Sequence, residues 1–210
     1  MAEQSLKKTA ATSVFWNGLQ RYITMGISFV SSIILARLLT PYDYGCIGML
    51  EIFIAIATIM IDGGFGSALL QKKRPTQEDY STIFYWNLAM STVMYILLYI
   101  GAPYIAEFYK IPLLTAVLRV QGIVLFINAL KMIQSNILRK NFRFKPMAIV
   151  VTISSLISVA VTVIMAYCGY GVWSLVVSNL LIALLPMIAF WFITKWKPLP
   201  VFSKQSFINT

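Results

Sequence analysis

Residues 147–167 read MAIVVTISSLISVAVTVIMAY, and residues 172–194 read VWSLVVSNLLIALLPMIAFWFIT. Neither block holds a charged side chain. Each is about as long as a helix must be to cross the hydrocarbon core of a bilayer, roughly 20 apolar residues. Further blocks of the same kind lie upstream, and together they predict six helices. The expected spans are Val14–Leu39, Tyr44–Leu70, Tyr80–Ile100, Pro112–Leu138, Pro146–Tyr167 and Val172–Thr194. Pro41 stops the first, Gly101 and Pro103 end the third, and Pro186 kinks the sixth. The fold class is therefore all-α: a polytopic six-helix membrane bundle, forming one unit over residues 1–210 with no soluble domain.

Composition excludes the main alternatives. Of the 210 residues, 59% are hydrophobic and 11% are charged, against about 25% charged in soluble domains. A soluble fold cannot hide six such blocks in a chain this short. The net charge of +10 sits in short loops between apolar blocks. That is the mark of membrane topology rather than of nucleic-acid binding, which needs a basic face on a soluble domain. The chain has no histidine. It also lacks a metal-ligand cluster, a close carboxylate pair and a nucleophile with an evident base. No cofactor, metal or enzymatic activity is expected.

Loop charge sets the orientation. One side receives Lys7, Lys8, Lys72, Lys73, Arg74, Arg139, Lys140, Arg143, Lys145, Lys195, Lys197 and Lys204; the other receives Arg37 and Lys110. The richer side is expected to be cytoplasmic, with both termini there. Tyr42, Tyr44, Tyr104, Tyr109, Tyr170 and Trp173 mark the outer interface, and Trp16, Tyr80, Tyr85, Trp86 and Trp196 the inner one. The first span is too long for a signal peptide, contains Arg21 and lacks a small-residue cleavage site, so it is expected to be retained.

Three basic residues remain inside spans: Arg21, Arg119 and Lys131. Each costs about 2.5–3.5 kcal/mol at a helix centre, so each needs a partner, a wet cavity or the headgroups. The fourth span also carries Gln121, Asn128 and Gln134, and the first adds Asn17 and Gln20 beside Arg21. The expectation is that the first and fourth spans border an interior cavity, with the fifth and sixth as outer scaffold. Arg21, Arg119, Lys131, Asn17, Gln20, Gln121 and Asn128 are the candidate cavity residues.

Glu51 and Asp62 lie eleven residues apart on the second span, nearly on one face and about 16 Å apart along the axis. Asp62 has three open readings: a partner for Arg21, a titrating group in transport, or a position near the inner interface. Ser28, Ser32 and Ala36, and likewise Ser154, Ser158 and Thr162, form small-residue stripes that predict close helix packing. Gly63, Gly64 and Gly66 lack the strand, lysine and spacing of a phosphate loop, and read as a tight helix end or close packing. Cys46 and Cys168 both fall at outer span ends. A disulfide is conceivable on an oxidising side, while lone membrane cysteines ordinarily act as small apolar residues.

Four segments, in order, carry a resemblance: 35–45 (LARLLTPYDYG), 62–73 (DGGFGSALLQKK), 138–144 (LRKNFRF) and 169–175 (GYGVWSL). Together the set resembles the N-terminal half of Wzx-type oligosaccharide flippases, within the multidrug/oligosaccharidyl-lipid/polysaccharide exporter superfamily. The resemblance implies one lobe of a two-lobe exporter fold in a bacterial cytoplasmic (inner) membrane. It implies flipping of undecaprenyl-pyrophosphate-linked glycans by alternating access; for such a substrate Arg21, Arg119 and Lys131 are the candidate pyrophosphate ligands, and Asn17, Gln20, Gln121 and Asn128 the candidate sugar ligands. Family members have twelve to fourteen helices, so the partners implied are a second lobe, a second copy or polysaccharide assembly proteins, besides membrane lipids. Two other readings stand beside it. One is an ion-coupled drug exporter of the same superfamily, in which Asp62 and Glu51 would matter most. The other is a non-transporting assembly subunit or truncated lobe.

Overall fold

The computed structural model describes the backbone of residues 2–72 and 75–199, and the side chains of 15–72 and 75–199. Lys7, Lys8, Lys73, Arg74 and Lys204 of the orientation count lie outside the described side chains. The described chain forms eight helices: α1 (Ala2–Leu38), α2 (Pro41–Asp62), α3 (Phe65–Gln71), α4 (Gln77–Phe108), α5 (Leu113–Gln121), α6 (Ile123–Lys140), α7 (Phe144–Tyr167) and α8 (Val172–Thr194). Among the described residues, six stretches are long and apolar enough to cross a membrane, with α5 and α6 counting as one 28-residue span. The chain is a multi-pass all-α bundle.

Local chemistry sets the helix ends. Thr40 and Asp43 form a reciprocal capping box at the start of α2, with Pro41 in the first turn. The Thr40 N–H donates to Asp43 Oδ2 at 2.8 Å and the Asp43 N–H to Thr40 Oγ1 at 3.3 Å, satisfying amides that a helix start leaves orphaned. Thr76 and Asp79 repeat the device before α4.

Three boundaries differ from the sequence expectation. The second span does not run unbroken to Leu70: α2 ends at Asp62, and Gly63 and Gly64 turn the chain in left-handed geometry, with φ of 50° and 85°. This confirms the tight helix end read from the glycines. Asp62 Oδ1 then accepts the Gly66 N–H at 3.3 Å and spans the break. The third span does not stop at Gly101 and Pro103. Both lie inside α4, because breakers that end helices in water are tolerated in a bilayer helix. The fourth span is interrupted at Gly122, where the Leu125 N–H bonds back to Gly122 O at 3.0 Å, three residues away. A side chain at Gly122 would meet the Tyr95 ring at 3.0 Å, so close approach of α4 requires glycine there.

Packing order also departs from expectation. The sixth span is not merely outer scaffold: α8 packs against α7, α6, α2 and α5, while the fourth span is the most buried. α1 packs chiefly on α7 and is the most peripheral span, with only 11% of its most apolar window buried. Ser28, Ser32 and Ala36 are exposed; the packed face of α1 is Ser31, Leu35 and Leu39. The α7 stripe does pack as expected. Ser158 and Thr162 are fully buried, and Ser158 Oγ lies 3.1 Å from both the backbone oxygen and the hydroxyl of Ser178 on α8. Cys46 is buried in the core and Cys168 is exposed; both are free thiols, so no disulfide joins them.

The lysine-rich loop segments meet at one end of the bundle. Lys140 Nζ donates to Leu69 O at 3.0 Å and also to Lys72 O, so a cation covers the carbonyl end of α3. Lys72 pairs with Asp79 at 3.0 Å. The Trp196 indole donates to Gln77 Oε1 at 2.9 Å, and Gln77 Nε2 donates to Lys197 O at 2.8 Å.

Candidate functional site

Two adjoining cavities open along α2 and α6, the wider one closed by α3 and the narrower one by α8. The one nearer the basic end has a volume of about 430 Å³, and its polar wall includes Asp62, Ser67, Asn128, Lys131, Asn136 and Arg139. The second has a volume of about 260 Å³ and includes Glu51, Gln121, Asn128, Lys131 and Asn179. Asn128 and Lys131 belong to both walls, so the two cavities form one groove.

Helix geometry explains the alignment. Asn128, Lys131, Ser135 and Arg139 follow one another at spacings of three, four and four, which is one face of α6. Gln121 reaches the same groove from the last residue of α5, across the Gly122 break. On α2, Glu51 and Asp62 line opposite ends of the groove, about 16 Å apart by helical rise. Glu51 lies ten residues past Pro41 and eleven before Asp62, hence near the middle of its span.

Among the described residues, neither Glu51 nor Asp62 forms an ion pair with Lys131. Lys131 is half-buried and lines both cavities. The groove is thus polarised. Its wider cavity presents two cations and one carboxylate that is already held by Gly66. Its narrower cavity presents a carboxylate, amides and the shared Lys131.

Of the residues singled out in the sequence, five converge here: Lys131, Gln121, Asn128, Glu51 and Asp62. The others lie elsewhere. Arg119 sits over the Tyr99 ring, 4.1 Å from its centroid, on the α4–α5 face. Its Nε is buried without a hydrogen-bond partner, and cation–π attraction is its compensation. Asn17 and Arg21 are exposed on α1. Gln20 lines a separate, mostly apolar groove between α1 and α7, with Trp16 and Thr152. No Arg21–Asp62 pair occurs among the described residues. Gln134 is fully buried on α6 near Trp191 of α8.

Two groove residues escape a reading by composition. Arg139 counts naturally as a loop charge, although its spacing from Asn128, Lys131 and Ser135 places it on the same helical stripe. Asn179 is a lone amide in an apolar span, and its neighbours appear only once α8 is seen to pack on α2 and α6. Among the described residues, no group of histidine, cysteine, aspartate and glutamate is arranged to hold a metal ion.

Comparison with known proteins adds a second line. The profile of a family described as "Polysaccharide biosynthesis protein" matches residues 34–210. The succinoglycan biosynthesis transport protein ExoT of Rhizobium meliloti is 26% identical over 198 residues, covering 94% of this chain and 40% of that protein. The teichuronic acid biosynthesis protein TuaB of Bacillus subtilis is also 26% identical, over 94% of this chain and 41% of the relative. The lipopolysaccharide biosynthesis protein WzxC of Escherichia coli is 19% identical over 78% of this chain and 33% of its own length. The chain therefore spans about two-fifths or less of these relatives. No solved structure matches.

Proposed function

The chain belongs to the polysaccharide biosynthesis protein family, and from that premise we propose that it is a membrane lobe that helps to move a lipid-linked glycan across a bacterial cytoplasmic membrane. One observation carries the reading: a polar groove, walled by Lys131 and Arg139 at one end and by amides at the other, runs along an otherwise apolar bundle. Arginine and lysine are the side chains that hold a phosphate or pyrophosphate by charge-assisted hydrogen bonds. An uncompensated lysine inside a span costs about 2.5–3.5 kcal/mol, and an anionic headgroup is the compensation this groove lacks. The apolar remainder of a polyprenyl carrier stays in the lipid beside the bundle.

The basic end faces the cytoplasm in this reading, so the wider cavity receives the headgroup from the inner leaflet. Alternating access needs a second wall. The relatives' greater length supports a second lobe as that wall; a second copy is the other source. α1 and α2 offer apolar surface for it, including Tyr22, Phe29 and Ile59, all more than half exposed. Ion-coupled drug export is a weaker fit. It makes Glu51 and Asp62 the central groups, and Asp62 already caps the start of α3.

The test is export by cells whose surface polysaccharide depends on this protein. Lys131→Gln with Arg139→Gln is expected to reduce surface polysaccharide by at least tenfold while the protein stays at normal level in the membrane. Normal export by that double variant would remove the groove from the transport path.

A further inference from the structure

The narrower cavity is rich in acceptors. Glu51 contributes a carboxylate, and Gln121 contributes a side-chain oxygen that is buried and has no hydrogen-bond partner. Gln121 is only 3% exposed and lies on the cavity wall. A buried acceptor without a donor is costly, and one beside a carboxylate in the middle of a span is more so. Asn128 and Asn179 supply amides that both donate and accept. Lys131 is on the same wall, yet among the described residues it forms no ion pair with Glu51, and the Gln121 oxygen stays without a partner, so both acceptors remain open to a ligand that brings donors.

Three kinds of ligand bring donors or positive charge: a cation, an ammonium group and a set of hydroxyls. Lys131 decides among them. It belongs to the same wall, and its charge opposes a second cation at close range, whereas hydroxyls carry no such penalty. The adjoining cavity, with Lys131 and Arg139, calls for the opposite ligand, an anion. Because Lys131 is shared, anion and hydroxyls lie next to each other. At about 260 Å³, the cavity is near the small end of ligand pockets and suits one ring rather than a chain.

We propose that the Glu51–Gln121 cavity is a subsite for a single uncharged, hydroxyl-bearing sugar joined directly to the anionic headgroup, and that Glu51 selects against an acidic sugar there. This rests on the reading of the groove as a lipid-linked glycan path. Glu51 and Gln121 accept sugar hydroxyls, and Asn128 and Asn179 both accept and donate. A uronic acid in this place sets a second carboxylate against Glu51, and like charges brought together at an interface discriminate strongly.

The test is equilibrium binding to the whole chain in lipid nanodiscs, with three soluble probes: farnesyl diphosphate, farnesyl diphosphate glucose and farnesyl diphosphate glucuronate. The glucose probe is expected to bind about tenfold more tightly than the glucuronate probe. Glu51→Gln, which keeps the shape of the side chain, is expected to shrink that ratio to about twofold. Lys131→Gln is expected to weaken all three probes. Equal binding of the two sugar probes, or a ratio that Glu51→Gln leaves intact, overturns the sugar subsite while leaving the groove as an anion site. Binding that depends on sodium but not on the sugar assigns the acceptors to a cation and also overturns it. Failure of all three probes to bind overturns the groove reading itself.

Discussion

The left-handed turn between α2 and α3 gives a sharp stability test. Gly63 and Gly64 adopt φ of 50° and 85°, where an L-residue is strained by about 1–2 kcal/mol. Replacing both with alanine costs about 2–4 kcal/mol on that scale, and a Cβ at Gly63 also comes within 3.3 Å of the Phe65 ring. Lower entropy of the unfolded chain returns about 0.4–1 kcal/mol per site, leaving a net loss of about 2 kcal/mol. Gly48 is the control. It lies inside α2, where an added Cβ meets nothing within 4 Å, so Gly48→Ala stabilises by about 0.5–1 kcal/mol. The two changes differ by about 3 kcal/mol, or about 6–12 °C in melting temperature for a chain of this size. The assay is thermal unfolding in detergent, read by reaction of a thiol dye with Cys46 in a Cys168→Ser background. Cys46 is fully buried and reacts only on unfolding. If the Gly63→Ala/Gly64→Ala protein melts no lower than Gly48→Ala, the break after Asp62 is refuted.

Three further outcomes are expected. A membrane-impermeant maleimide added to intact cells labels Cys168, which is exposed, and spares Cys46; labelling of Cys168 only after the membrane is opened reverses the proposed orientation. Tyr99→Leu removes the ring beneath Arg119 and costs about 1–2 kcal/mol, whereas Tyr99→Phe is near neutral. Adding Arg119→Leu to Tyr99→Leu restores stability, and a thermal-melt cycle lacking that coupling counts against the cation–π pair. Asp79→Ala removes both a helix cap and the partner of Lys72. Asp79 is buried while Lys72 is partly exposed, so the loss is about 2 kcal/mol, against less than about 1 kcal/mol for Lys72→Ala; equal losses place the energy in the ion pair rather than the cap.

The spans were legible because hydropathy is a one-dimensional signal that the bilayer reads directly. Val172–Thr194 appears in the structure with the bounds its composition implies. Breaks within spans were harder. The residues after Gly64 are still apolar, Phe65, Ala68, Leu69 and Leu70 among them, so a hydropathy reading carries the second span through the turn. Pro103 misled in the opposite direction, since its meaning in water does not hold in lipid. Which helices touch was not legible at all. A long polar side on the fourth span shows that α6 faces something wet, yet composition does not reveal that α2, α3 and α8 rather than α1 wall the space beside it. For this reason sequence polarity points to Lys131, Asn128, Gln121, Glu51 and Asp62, gives no sign of Asn179, and places Arg21 at a cavity it does not border.

The attachment of α1 to α7 has a consequence for biogenesis. The main packing partner of α1 begins at Phe144, more than a hundred residues after α1 ends at Leu38. At about 5–20 residues per second, a ribosome takes roughly 5–20 s to cover that distance. Through that interval α1 stands in the membrane, or beside the insertion machinery, with Arg21 on it and its main docking surface not yet made. Assembly of this bundle therefore waits on a late-synthesised helix to capture the first one, and a nascent chain halted between α6 and α7 leaves its amino-terminal helix unclaimed.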